Sequence, residues 1–209
     1  MTIGRRLFLA SVLGTIASSC ARQMKVGYWL GAFQCTAGLP IDTHVYPIKL
    51  RRFERLDLEE QIEPTLCWAA AIQSVLMYYH IDISQQEVVR KVRDSTGHQD
   101  FSAASLKEII KGISGKNTSW YVSNGSSADL VQDLRNGNPV IIGLDSPHTD
   151  IGHVVVAYGV TYVFNYSNRV YYVDRVRVWD PWFGEGKKWL SGCDVKNDIA
   201  FALHSWNPG

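Results

Sequence analysis

A cysteine opens an apolar helical pattern a third of the way along the chain. Gln61-Ile-Glu-Pro-Thr-Leu-Cys67-Trp68 leads into Ala69, Ala70 and Ala71, and then Ile72, Val75, Leu76 and Tyr79 follow at helical spacing. Pro64 bars any helix behind it and Thr65 is available as an N-cap, so Cys67 falls in the first turn of a mostly apolar, central helix. Unpaired backbone N–H groups and the positive end of the helix dipole favour a thiolate over a thiol at that place. The plainer alternative is a buried cysteine that fills space.

The neighbouring elements set the fold class. Ser84-Gln-Gln-Glu87 has the form of a capping box and precedes Val88, Val89 and Val92, which predicts a second helix. A third is expected from about Ser102 through Leu106, Ile109 and Ile110 to Gly112. A fourth is expected over about Ser127 to Asn136, with Leu130, Val131 and Leu134 inward and Gly137 at its end. The character then changes to β-branched and aromatic runs: Pro139–Leu144, His153–Gly159, Arg169–Val173, Arg175–Trp179 and Phe201–Ser205, with a turn at Asn165–Asn168. Helices first and strands later predict an α+β domain with an antiparallel sheet.

Four short motifs give Cys67 its company. Gln61 stands six positions upstream, Trp68 follows directly, and Gly152-His153 and then Asp180-Pro181-Trp182 come later. In that order these residues resemble the papain-like cysteine peptidases, in particular the compact bacterial group similar to the leader peptidases of bacteriocin exporters. The resemblance implies a papain-like α+β fold, a helical lobe whose N-terminal nucleophile helix packs on an antiparallel β-sheet lobe. It implies Cys67 as nucleophile, His153 as base, Asp180 as its orienting acceptor and Gln61 as an oxyanion donor, with Trp68, Gly152 and Trp182 as substrate-binding neighbours. No metal and no organic cofactor are required for such acyl transfer.

Six histidines could supply the base. His44 lies in an N-terminal arm, His98 in a polar loop and His204 in the last strand, where a core role is simplest. His80 ends the central helix, roughly 20 Å from its start, and cannot reach Cys67. His153 is favoured because Gly152 leaves its backbone approachable and a valine-rich strand fixes its ring. His148, in the preceding loop, is the alternative. Asp180-Pro181 would otherwise read as a turn initiator, and Gln61 as an ordinary loop glutamine.

Residues 1–20 read as an export signal: Arg5-Arg6, the apolar run Leu7–Ile16, then Ala17-Ser-Ser-Cys20. Arg5-Arg6-Leu7-Phe8-Leu9 looks like a twin-arginine signal, and Ala17–Cys20 is similar to a lipobox, which would place a lipid on Cys20. Residues 21–57 are expected to be an extended arm and 58–209 the catalytic domain. Removing Arg5 and Arg6 with the signal takes the formal charge from +1 to −1, and a chain without basic surplus is a poor partner for nucleic acid. The remaining cysteines, Cys35 and Cys193, are expected to form a disulfide, since neither has a second ligand at metal spacing. The expectation is an exported, monomeric periplasmic peptidase acting on a peptide or protein, bound to the membrane only through a lipid on Cys20. Its rivals are a peptidoglycan peptide hydrolase or amidase, a transglutaminase-like acyltransferase and a non-catalytic papain-like binding module.

Overall fold

The computed structural model describes residues 33–39, 44–96, 119–123, 125–145 and 152–206. They form seven strands and five helices: β1 (Tyr46–Lys49), α1 (Arg51–Glu54), α2 (Cys67–Tyr78), α3 (Gln85–Thr96), β2 (Ser119–Ser123), α4 (Ser127–Arg135), β3 (Val140–Leu144), β4 (His153–Asn165), β5 (Val170–Asp180), β6 (Gly186–Ser191), α5 (Gly192–Asp198) and β7 (Ile199–Trp206). All these strand pairs are antiparallel, in the order β2-β7-β3-β4-β5-β6. β3 pairs with residues 153–157 of β4, and β1 continues along the following residues 159–162.

β4 is the long central strand. Every residue from Val154 to Val160 is buried, which requires cover on both faces. Helix α2 packs against it, and α4 packs against β4 and β5. Residues Cys67 to Leu76 are all buried, so α2 is a core helix rather than a one-faced surface helix. Its end is marked by His80, an exposed residue in the left-handed region (φ 62°), where glycine is commoner.

Helix α3 begins as expected, with Ser84 Oγ accepting from the Glu87 N–H at 3.2 Å. The reciprocal half of the capping box is not made, because the Glu87 carboxylate is taken by Arg90. Helix α4 carries Leu130, Val131 and Leu134 inward behind a Ser126 cap, and Gly137 (φ 84°) lies just beyond its end. The third expected helix, Ser102 to Gly112, lies outside the described residues.

Three sequence expectations are corrected. Thr65 does not cap α2: the N-cap is Leu66, and no side chain caps the helix there. A tight turn before the helix, with the Leu66 N–H donating to the Glu63 carbonyl, moves the boundary one residue on. Arg169–Val173 and Arg175–Trp179 are one strand, β5, because the break expected at Asp174 is absorbed by a register shift. The Asp174 carboxylate accepts from Thr161 Oγ1 at 2.9 Å, which satisfies it within the sheet. Strands β1, β2 and β6 are additional to those expected. β2 is an edge strand with only Trp120 fully buried, and Lys187-Lys188 masks the alternation of β6.

Cys35 and Cys193 form a disulfide, with Cα atoms 5.0 Å apart. Residues 34–36 run along β5 at Val173, where the Val173 N–H donates to the Gln34 carbonyl at 2.8 Å. Gly192 is required beside them: a Cβ there would lie 2.1 Å from the Val173 carbonyl oxygen.

Candidate active site

Strand register decides which late residues can meet. Val156 pairs with Trp179, so one step further Asp180 faces Val155, and His153 shares that face two residues on. The side chains meet: His153 Nε2 donates to Asp180 Oδ1 at 2.6 Å. With Nε2 so committed, Nδ1 is the ring nitrogen left for Cys67, which lies close enough to the ring to shift its pKa. Cys67 is the first residue of α2, 7 % exposed, and the free thiol of the described residues. Sulfur, imidazole and carboxylate, drawn from α2, β4 and β5, are therefore contiguous.

The electrostatics follow from burial and pairing. Burial of the His153 ring works against its charged form, but hydrogen bonds to Asp180 and Cys67 outweigh that and raise its pKa to about 9. Asp180 is buried, which by itself would raise its pKa. His153, Lys188 and the Trp182 N–H more than compensate and hold it at about 2. The carboxylate is thus ionised and the ring protonated across the neutral range.

Gln61 lies on the loop before α2 and is 1 % exposed. Its N–H donates to the Pro181 carbonyl at 2.9 Å, which ties this loop to the Asp180-Pro181 turn. Its side-chain Nε2 donates to the Glu63 carbonyl at 2.8 Å, which fixes which end of the amide is nitrogen and leaves one N–H over. The Trp182 ring meets the His153 ring edge-on, centroids 6.0 Å apart, and the Trp182 N–H donates to Asp180 Oδ1 at 2.9 Å. Gly152 immediately precedes His153 at the start of β4. Trp68 is 5 % exposed and belongs to the core around Cys67 rather than to an open surface.

The other histidines are elsewhere. His44 and His80 are exposed, and His98 and His148 lie outside the described residues. His204, on β7, is buried as a core residue, with its Nδ1 on the Asp133 carboxylate and its Nε2 2.8 Å from Ser123 Oγ. Tyr121 stacks over that ring at 4.4 Å.

Two residues at the site are additional to those expected from the sequence. Gln85, buried at the start of α3, accepts from the Ile62 N–H at 3.1 Å and donates to the Glu60 carbonyl at 2.8 Å, bracketing Gln61. Lys188 Nζ lies 2.7 Å from Asp180 Oδ2. Its signal in the sequence is the Gly184-Glu-Gly186 turn, with both glycines at positive φ, which folds β6 back onto β5.

The sequence profile of the Peptidase_C39 like family matches residues 53–207, which is most of the chain. This chain belongs to the Peptidase_C39 like family. Among solved structures, the peptidase domain of Streptococcus ComA, a bi-functional ABC transporter involved in quorum sensing, is similar at 17 % identity and a TM-score of 0.53. That match covers 72 % of this chain and 97 % of that one. A double glycine motif protease from an AMS/PCAT transporter, solved in complex with its leader peptide, is 18 % identical with a TM-score of 0.48, covering 72 % of this chain and 90 % of that one. No curated protein matches. Membership of the Peptidase_C39 like family makes the protein a papain-like cysteine peptidase, with the mixed helical and antiparallel-sheet fold expected of that superfamily.

Proposed function

We propose that this protein is an exported cysteine peptidase that cleaves peptide bonds through a thioester on Cys67. The observation that carries the reading is the shared imidazole: His153 bonds Asp180 through Nε2 at 2.6 Å and stands beside Cys67. Asp180 fixes the ring's orientation and stabilises its protonated form, the partner that a thiolate nucleophile needs. The thiolate attacks the substrate carbonyl carbon. The oxyanion that forms is met by the Cys67 N–H at the uncapped helix start and by the remaining N–H of Gln61. His153 gives its proton to the leaving amine, and a water that it then deprotonates releases the acid and regenerates the thiol. Trp182 covers the His153–Asp180 bond on its open side and excludes water from it.

A peptide substrate is in keeping with the peptidase family to which the chain belongs. Export rests on Arg5-Arg6 and the apolar run after it, and the Cys35–Cys193 disulfide supports an oxidising compartment. A lipid on Cys20 would keep the enzyme at the periplasmic face of a membrane, and a single catalytic domain would work as a monomer. Iodoacetamide at pH 6 tests the site: a Cys67 activated by the His153 ring beside it should react at least tenfold faster than a free cysteine. A rate equal to that of free cysteine sinks the proposal. Profiling of cleaved termini with wild type and Cys67→Ala then identifies the substrate.

A further inference from the structure

The geometry points to Lys188 as a fourth member of the site, a positioning residue that holds Asp180 by its outer oxygen and sets how strongly the carboxylate acts on His153. The inference rests on the catalytic reading of Cys67, His153 and Asp180 given above.

Asp180 divides its two oxygens cleanly. Oδ1 accepts from His153 Nε2 at 2.6 Å and from the Trp182 N–H at 2.9 Å. Oδ2 faces Lys188 Nζ at 2.7 Å. The Asp180 side chain is 5 % exposed, so water supplies little of its solvation and these partners supply most of it. Strand register explains the contact. Lys188 pairs with Val178, and Asp180 pairs with Gly186, on the same face of the sheet. Gly186 has no side chain, so the long lysine stem runs diagonally over that position to reach the carboxylate.

The result is a row of titratable groups from the start of α2 to the β5–β6 turn, Cys67, His153, Asp180, Lys188 and Glu185, of which the last four alternate in charge. Glu185 closes it, with Oε2 2.7 Å from the same Nζ. Among the described residues these are the titratable groups that act on His153, Asp180 and Lys188. The consequence has two parts. Held at both oxygens, the carboxylate cannot rotate away from the imidazole. Paired with an ammonium, it stabilises the imidazolium less than an unpaired carboxylate would. A base that binds its proton too tightly is a poor acid toward the leaving amine, so Lys188 moderates His153.

The test is an NMR titration of the His153 ring in full-length protein, run beside iodoacetamide alkylation of Cys67. Lys188→Met removes the cation and keeps much of the stem, so His153 should titrate about one pH unit higher than in wild type. Lys188→Arg should restore the wild-type value to within a few tenths. Glu185→Gln, on the exposed turn, leaves Lys188 wholly to Asp180 and should lower the His153 value by a few tenths of a unit. An unchanged titration in both Lys188→Met and Glu185→Gln overturns the inference, as does the same displacement in Lys188→Arg as in Lys188→Met. If Lys188→Met does not fold, the downward displacement in Glu185→Gln alone decides. Slow wild-type alkylation at pH 6 would remove the peptidase reading, while the titration would still decide the role of Lys188 on its own.

Discussion

Gln61 illustrates how much one side chain is asked to do. It is fully buried, its backbone N–H is held by Pro181 and its amide nitrogen by Glu63, and its Oε1 has no hydrogen-bond partner. An amide oriented by one of its two hydrogens can point the other at a developing oxyanion without reorganising. Gln61→Ala is expected to lower kcat by about 10²-fold, roughly 3 kcal/mol of transition-state stabilisation, with KM little changed. Steady-state kinetics on a cleavable peptide measure the split, and a loss confined to KM would contradict the role. Beside the Cys–His–Asp site, a Ser–His–Asp row of Ser123, His204 and Asp133 has the connectivity of a nucleophilic triad but serves the fold. Its histidine is 1 % exposed beneath Tyr121, and Ser123 Oγ also accepts from the Gly125 N–H at 3.0 Å. It ties edge strand β2 to β7 and α4, and it pairs both nitrogens of the buried His204 ring.

At the scale of elements, the site depends on three loops and strand ends being held by parts that do no chemistry. Helix α3 reaches the loop before α2 through Gln85, whose amide pairs with both backbone groups flanking Gln61. Gln85→Leu removes the partner of the Ile62 N–H and of the Glu60 carbonyl, two part-buried groups that water can reach, which costs about 1 kcal/mol. The same change loosens Gln61, so kcat should fall several-fold while iodoacetamide alkylation of Cys67 stays near wild type. Urea denaturation and the two rates together check this. Equal loss of alkylation and hydrolysis would mean that the whole site, rather than the oxyanion loop, had moved. These contacts also show why some of the site is legible in the sequence and some is not. Helix α2 can be read because its apolar residues repeat locally and Pro64 marks its start. Gln85 can be read only as part of a helix start, because its partners lie about 25 positions away and no periodicity links them.

At the scale of the whole molecule, the chain is closed on itself. The Cys35–Cys193 bridge spans 158 positions and fastens residues 33–36, β5 and α5 together. On chain-entropy grounds so long a loop contributes about 5 kcal/mol, and less where the reduced chain keeps residual structure. The double variant Cys35→Ser, Cys193→Ser should lose about 2–5 kcal/mol by urea denaturation while keeping kcat, because neither cysteine touches the site. A variant as stable as wild type would show that backbone pairing at Val173 suffices. β1 adds to the closure: it pairs with β4, and Phe53 just beyond it is fully buried against Tyr158.

Local order along the chain was enough to set the types of group and their sequence: a thiol at a helix start, an imidazole at a strand start, a carboxylate at a strand end, two cysteines left to pair. These follow from steric rules and periodicities that act over a few residues, and so they survive in the sequence. Which oxygen of Asp180 meets His153, and that Lys188 takes the other, was decided only when β4, β5 and β6 paired in one register. Register is a cooperative property of whole strands, and a slip of one residue would turn His153 to the opposite face. That is why the thiol, the imidazole and the carboxylate could be named in advance, while the charged groups beside them came only from the folded sheet.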